Sequence, residues 1–139
     1  MERYEREPDC LRRIFQICLS DDAYVGWVNA YSMDNPPDDA GENALAIGID
    51  IPVQSARRKG VATEAWVLVI KYLRERGMKI YTETWPGNYR LLGLAEKLGF
   101  RECRRRANVR EVRGEKYDAL CLVLDEDLFD ERFGAAANS

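Results

Sequence analysis

The stretch Arg57-Arg58-Lys59-Gly60-Val61-Ala62 has the residue types and spacing to hold a phosphate. It lies between an apolar strand-like segment, residues 46–51, and a long apolar helix-like segment, residues 61–76. Unbonded backbone N–H groups at a helix start point outward, and the helix dipole adds partial positive charge there. Gly60 has no Cβ, so a ligand can approach its backbone closely. The Walker pattern GxxxxGK[ST] and the dinucleotide pattern GxGxxG are both absent, which argues against a nucleotide-hydrolysing loop. Taken alone, the turn also fits a plain strand-to-helix connection.

The remaining reactive side chains narrow the chemistry. The chain contains no histidine, which removes Ser-His-Asp and Cys-His catalysis and the commonest metal ligand. Asp34, Asp38 and Asp39 sit in a proline-containing loop without the spacing of a calcium loop, so no metal is expected. Asp50 and Glu83 are carboxylates in strand-like runs with apolar or aromatic residues nearby. Each fits a proton acceptor, or a solvated or hydrogen-bonded strand position. The four cysteines, Cys10, Cys18, Cys103 and Cys121, form no CxxC pair. They read as buried or partly buried free thiols in a reducing compartment, with Cys103 and Cys121 as core thiols and not nucleophiles.

These residues need a scaffold. At 139 residues, 46% apolar and 32% charged, the chain suits one soluble domain. Strands are expected at 13–19 and 24–33, joined by a turn at Ser20-Asp21-Asp22, with Val25, Trp27, Asn29 and Tyr31 on one face. A polar loop, 34–43, leads to a buried central strand at 44–53. The helix after Gly60 reaches about residue 76, where Gly77 stops it. Val61, Ala65, Leu68 and Tyr72 share one face, widened by Trp66, Val69, Ile70 and Leu73. A strand at 79–85 ends at Pro86-Gly87. Asn88 then caps a helix at 89–98 whose core face is Leu91, Leu94, Ala95 and Leu98. Strands at 100–112 and 116–124 form a hairpin near Arg113-Gly114. A short helix at 126–133 precedes a flexible tail, residues 134–139. The expected fold is α/β: a single domain over 1–133 with a mixed, mostly antiparallel sheet and a central right-handed β-α-β unit. The charged start lacks a signal-peptide core, and no run approaches a membrane span. The expected location is cytoplasmic, with no membrane partner.

The pattern Arg57-x-x-Gly60-x-Ala62 at a strand-to-helix turn resembles the acyl-CoA pyrophosphate loop of the GNAT superfamily of N-acetyltransferases. One helix later come Thr84-Trp85-Pro86-Gly87-Asn88 and Leu94-Ala95-Glu96-Lys97-Leu98-Gly99-Phe100, which look like the next GNAT motif in order and spacing. The branch resembled is that of the ribosomal-protein N-terminal acetyltransferases, and the likeness covers roughly residues 15–124. The resemblance implies an acyl-CoA N-acyltransferase fold and acetyl-CoA as cosubstrate. It implies that the backbone of Ile51 and Val53 pairs with the pantetheine arm. The N–H groups of Arg58, Lys59, Gly60, Val61 and Ala62, within the turn from Arg57 to Thr63, would hold the pyrophosphate. Asn88 would contact the cofactor near the thioester. The family's two central strands splay apart for the acyl group, and Pro52, which cannot donate to a ladder, suits that point.

The implied reaction moves an acetyl group directly from the thioester to a primary amine, on a small molecule or a peptide. Glu83 or Asp50 would take the proton. The family's helix tyrosine falls on Ala95, so no general acid is assigned; a thiolate leaves readily without one. Arg101, Arg104, Arg105, Arg106, Arg110 and Arg113 fall on strand faces mixed with Glu102 and Glu111. They read as a solvated face, or as a surface for an acidic substrate or the CoA 3′-phosphate. The net charge of −3 and the lack of interleaved aromatics argue against nucleic acid. About a dozen residues precede the first hairpin, where the family usually has a strand and two helices forming one wall of the acceptor groove. That shortness admits a CoA-binding remnant of weak activity as an alternative, and an exposed sheet edge that favours a homodimer. An Arg-strand module for an acidic protein or RNA is the alternative from another class.

Overall fold

The computed structural model describes residues 11–52 and 60–134, except the side chains of Arg110 and Val112. Cys10, Val53, Arg57, Arg58, Lys59 and the expected tail after Gly134 lie outside the described residues. The elements follow the expected order. They are β1 (Ile14–Cys18), β2 (Tyr24–Tyr31), β3 (Ala44–Asp50), α1 (Val61–Glu75), β4 (Lys79–Thr84), α2 (Tyr89–Leu98), β5 (Phe100–Val112), β6 (Glu115–Leu124) and α3 (Glu126–Phe133). The strands form one sheet in the order β1-β2-β3-β4-β6-β5. The β3–β4 pair is parallel and every other pair is antiparallel, the α/β arrangement expected from the sequence.

One residue changes the faces of β2. Ile17 lies opposite Gly26 but Cys18 lies opposite Tyr24, so Val25 is an extra residue, a β-bulge. The bulge flips the alternation. Val25, Val28 and Ala30 turn into the core, while Trp27, Asn29 and Tyr31 face the other way. The expectation that Val25 shares a face with those three is therefore corrected. The central strand is also shorter than expected, ending at Asp50, with Leu45, Ala46 and Ile47 almost fully buried.

The core lies between the sheet and the helices. Trp66, Val69, Ile70 and Leu73 of α1 and Ala95 and Leu98 of α2 pack with Val28, Ile47, Ile80, Leu122 and Phe129. Burying each large aliphatic side chain stabilises by roughly 1.5–3 kcal/mol. Leu68, expected on the core stripe, is 61% exposed; the buried α1 stripe is centred on Trp66, Ile70 and Leu73, and Leu68 falls on the opposite side of the helix. A smaller cluster of Met33, Ala40, Ala46, Tyr81, Cys121 and Val123 covers part of the opposite sheet face beneath the loop after β2.

Helix ends are set locally. At the end of α1, Gly77 N–H donates to Arg74 O and Met78 N–H to Leu73 O, with Gly77 at φ 82°. This is the two-bond stop that a left-handed glycine permits. Gly99 ends α2 at φ 104°, and its carbonyl accepts from Asp125 N–H at 2.9 Å. A Cβ there would come within 3.2 Å of Phe129 N, so glycine also sets how closely α3 docks. Among the described residues, no helix is long and apolar enough to cross a membrane.

Candidate active site

The sheet has a gap. Pairing between β3 and β4 runs through Ala44–Lys79, Leu45–Ile80 and Ala46–Tyr81 and then stops. Both strands continue, β3 bonded to β2 as far as Asp50–Trp27 and β4 bonded to β6 as far as Thr84–Leu120. A lost ladder leaves carbonyls that must find other donors. Thr82 Oγ1 donates to Ile47 O at 2.7 Å in a buried bond, and the Trp66 indole donates to Gly48 O at 3.4 Å. The gap thus opens at Ile47 and Thr82, well before Pro52. Side chains take over the carbonyls, so proline is not what ends the pairing.

Both helix starts lie at the open end of this gap. Since β3 and β4 are parallel, their carboxyl ends coincide, and α1 follows one while α2 follows the other. Ligands of α/β sheets gather at such carboxyl ends. Gly60 caps α1 at φ 72° with no side-chain cap bond, and its carbonyl accepts from Glu64 N–H at 3.0 Å. The first-turn N–H groups of Val61, Ala62 and Thr63 have no intrahelical acceptor by geometry. A Cβ on Gly60 would meet nothing within 4 Å, so the left-handed backbone is the reason for glycine in this structure.

Asn88 caps α2. Its Oδ1 accepts from Leu91 N–H at 3.3 Å, which leaves its amide NH2 as the half able to donate to a ligand. The Trp85 ring, just before, packs on Tyr117 with centroids 4.8 Å apart.

The carboxylates sit on the other sheet face, away from the helices. Glu83 on β4 and Asp50 on β3 share that face on the two strands that bound the gap. Glu83 is half-buried, and its Oε1 accepts from Tyr31 Oη at 3.2 Å. Asp50 is exposed. Tyr31 is a partner of Glu83 that sequence reasoning missed. Its alternation with Trp27 and Asn29 placed it on a face, but not opposite Glu83.

Two of the three described thiols depart from the expected burial, and Cys103 is not the core thiol expected. Cys121 is buried, whereas Cys18 and Cys103 are exposed. Cys103 sits at a register shift of β5 and donates to Cys121 O at 3.3 Å. Burial pushes the Cys121 thiol up to about 12, with the Cys103 thiol and the Glu83 carboxylate adding to the effect. It is no nucleophile at neutral pH.

The arginine strand is partly self-satisfied. Arg105 bonds Glu102 at 3.2 Å and Asp118 at 2.9 Å, and these bonds raise its pKa. Arg104 donates to Asn35 O and ties β5 to the loop after β2. Two open clefts border α1, one at its far end and one that reaches its first residue, Val61. One, about 790 Å³, is bordered by Arg74, Met78 and Asp130 at the far end of α1; the other, about 920 Å³, runs between β1 and α1 past Phe15, Leu68 and Tyr72. Neither is lined by Asp50, Glu83, Gly60 or Asn88. The chemistry-bearing residues, not cleft size, mark the site.

Comparison with known proteins gives this arrangement a class. The sequence profile of the acetyltransferase (GNAT) domain matches residues 1–101. The chain belongs to the GNAT acetyltransferase family, and its class of enzyme is the N-acetyltransferases. The fold agrees with solved structures. A mutant spermidine N-acetyltransferase from Vibrio cholerae superposes with a TM-score of 0.69 at 18% identity, over 95% of this chain and 75% of that one. A ribosomal-protein-alanine N-acetyltransferase from Brucella melitensis gives 0.65 at 18% identity, over 88% and 72%. The protein yncA from Salmonella typhimurium, solved with its cofactor acetyl-CoA, gives 0.62 at 16% identity, over 73% and 58%. At such identities the likeness concerns the fold. No curated protein matched the chain.

Proposed function

We propose that this protein transfers an acetyl group from acetyl-CoA directly to a primary amine, as one domain spanning residues 1–133. The observation that carries the reading is the gap between β3 and β4, flanked at its open end by the starts of α1 and α2. A pantetheine arm is a narrow chain with amides, suited to enter such a gap and pair with exposed strand backbone. In this reading the backbone of Ile51 and Val53 pairs with the arm. The turn from Arg57 through Arg58, Lys59, Gly60, Val61 and Ala62 to Thr63 binds the pyrophosphate. Asn88 donates through its amide NH2.

Glu83, oriented by Tyr31, accepts a proton from the incoming ammonium, either directly or through water; Asp50 is the second candidate. The freed amine attacks the thioester carbonyl carbon, a C–N bond forms and the C–S bond breaks; the nitrogen's remaining surplus proton passes to the departing thiolate, directly or through water. An amine with pKa near 10.4 is almost wholly protonated at neutral pH, so this proton acceptor is needed. The related folds of a spermidine N-acetyltransferase and a ribosomal-protein-alanine N-acetyltransferase support an acceptor that is a polyamine-like small molecule or a peptide N-terminus. The free thiols Cys18, Cys103 and Cys121 support a reducing, cytoplasmic setting.

The test combines calorimetry with acetyl-CoA and CoA-thiol release against a panel of amines. Saturable binding with amine-dependent thiol release is expected. Binding without release for any amine would indicate a cofactor-binding remnant. No binding at millimolar ligand would overturn the reading.

A further inference from the structure

We infer that Thr84 supplies a hydroxyl to the acyl-CoA arm inside the gap, hydrogen-bonding a carbonyl at its thioester end. The inference rests on the acetyl-CoA reading above and deepens it by one residue. Thr84 is 2% exposed, and its Oγ1 is the buried side-chain polar atom among the described residues that has no hydrogen-bond partner. Buried hydroxyls are nearly always bonded, and an orphan calls for a reason.

The position supplies one. Thr82 and Thr84 share a face of β4. Thr82, where the pairing has just ended, uses its hydroxyl to satisfy Ile47 O across the gap. Carried forward in the same parallel register, Thr84 falls opposite Ile49, and no group of β3 hydrogen-bonds its hydroxyl. The same chemical device thus appears twice along one strand. At the closed end its partner is protein; at the open end its partner is absent. An arm entering past Ile51 would offer two acceptors near its thioester end, the carbonyl of its last amide and the thioester carbonyl. A valine would fill the same volume without an unsatisfied oxygen, so the hydroxyl is retained at a cost to the free protein.

The experiment compares Thr84→Val, Thr84→Ser and the wild type by calorimetry with acetyl-CoA and with CoA, alongside thermal unfolding of the free proteins. Thr84→Val should unfold at the same temperature as wild type or higher, yet bind acetyl-CoA roughly 3- to 10-fold more weakly. Thr84→Ser should keep most of the affinity. An equal loss for both ligands assigns the bond to the arm's amide. A loss confined to acetyl-CoA assigns it to the thioester carbonyl. Unchanged affinity for both ligands, with wild type binding normally, would overturn the inference and leave the acetyl-CoA reading intact. Absence of wild-type binding would overturn both. Should Thr84→Val fail to fold, Thr84→Ser against Thr84→Ala carries the same comparison.

Discussion

Glu83 and Tyr31 form the pair on which the proposed proton transfer depends. Glu83→Gln keeps the shape and the Tyr31 contact but cannot accept a proton. Turnover with an amine should fall about 100-fold or more, with acetyl-CoA affinity little changed. Tyr31→Phe removes the 3.2 Å bond and should cost less, up to about tenfold, because the base is still present. Steady-state rates with a saturating amine check both, and full activity of Glu83→Gln would transfer the role to Asp50 or to water. The neighbouring Cys121 makes a different prediction. Its folded thiol titrates near 12, above the ordinary 9.0. Above pH 9 the unfolded chain loses this proton before the folded one does, so the unfolded state binds fewer protons and stability falls as pH rises. The contribution is fully present below about pH 9 and is lost between about 9 and 12. Denaturant melts of wild type and Cys121→Ala across that window should differ in slope, wild type falling more steeply. Parallel slopes would mean that the thiol is not so shielded.

At the scale of elements, glycine and asparagine decide where helices begin and end. Gly99→Ala forces a side chain into φ 104° and against Phe129 N. It should destabilise the fold by about 1–3 kcal/mol, read as a shift in the denaturation midpoint. Such local punctuation was legible in the chain itself. The Asn88 cap, the Gly77 and Gly99 stops and the Arg113-Gly114 hairpin turn each depend on a few adjacent residues. The bulge at Val25 was not legible, because an extra residue in β2 is defined only against its partner β1. One inserted position then put Val25 on the face opposite Trp27, Asn29 and Tyr31, which still share theirs. The Tyr31–Glu83 bond spans 52 positions and two strand pairings, beyond any local pattern. Leu68 shows the limit of helical periodicity: α1 is apolar on more than one side, and the pattern does not reveal which side meets the sheet.

At the scale of the whole molecule, one break in one ladder organises the site. The sheet holds together on both sides of the gap through the β2–β3 and β4–β6 pairings, while the helices cover one face and the carboxylates occupy the other. Cosubstrate arm and acceptor amine can therefore approach the same gap from different sides of the sheet. In the proposed function the basic turn holds the phosphate end, the gap takes the arm, and Glu83 accepts the proton. Acetyl-CoA binding measured by calorimetry, for wild type and for Arg58→Glu with Gly60→Asp, tests this most directly. The account predicts saturable binding to the wild type, abolished in the double variant by charge and bulk at the turn. Equal affinity of both proteins, or no binding to the wild type at millimolar acetyl-CoA, would contradict it.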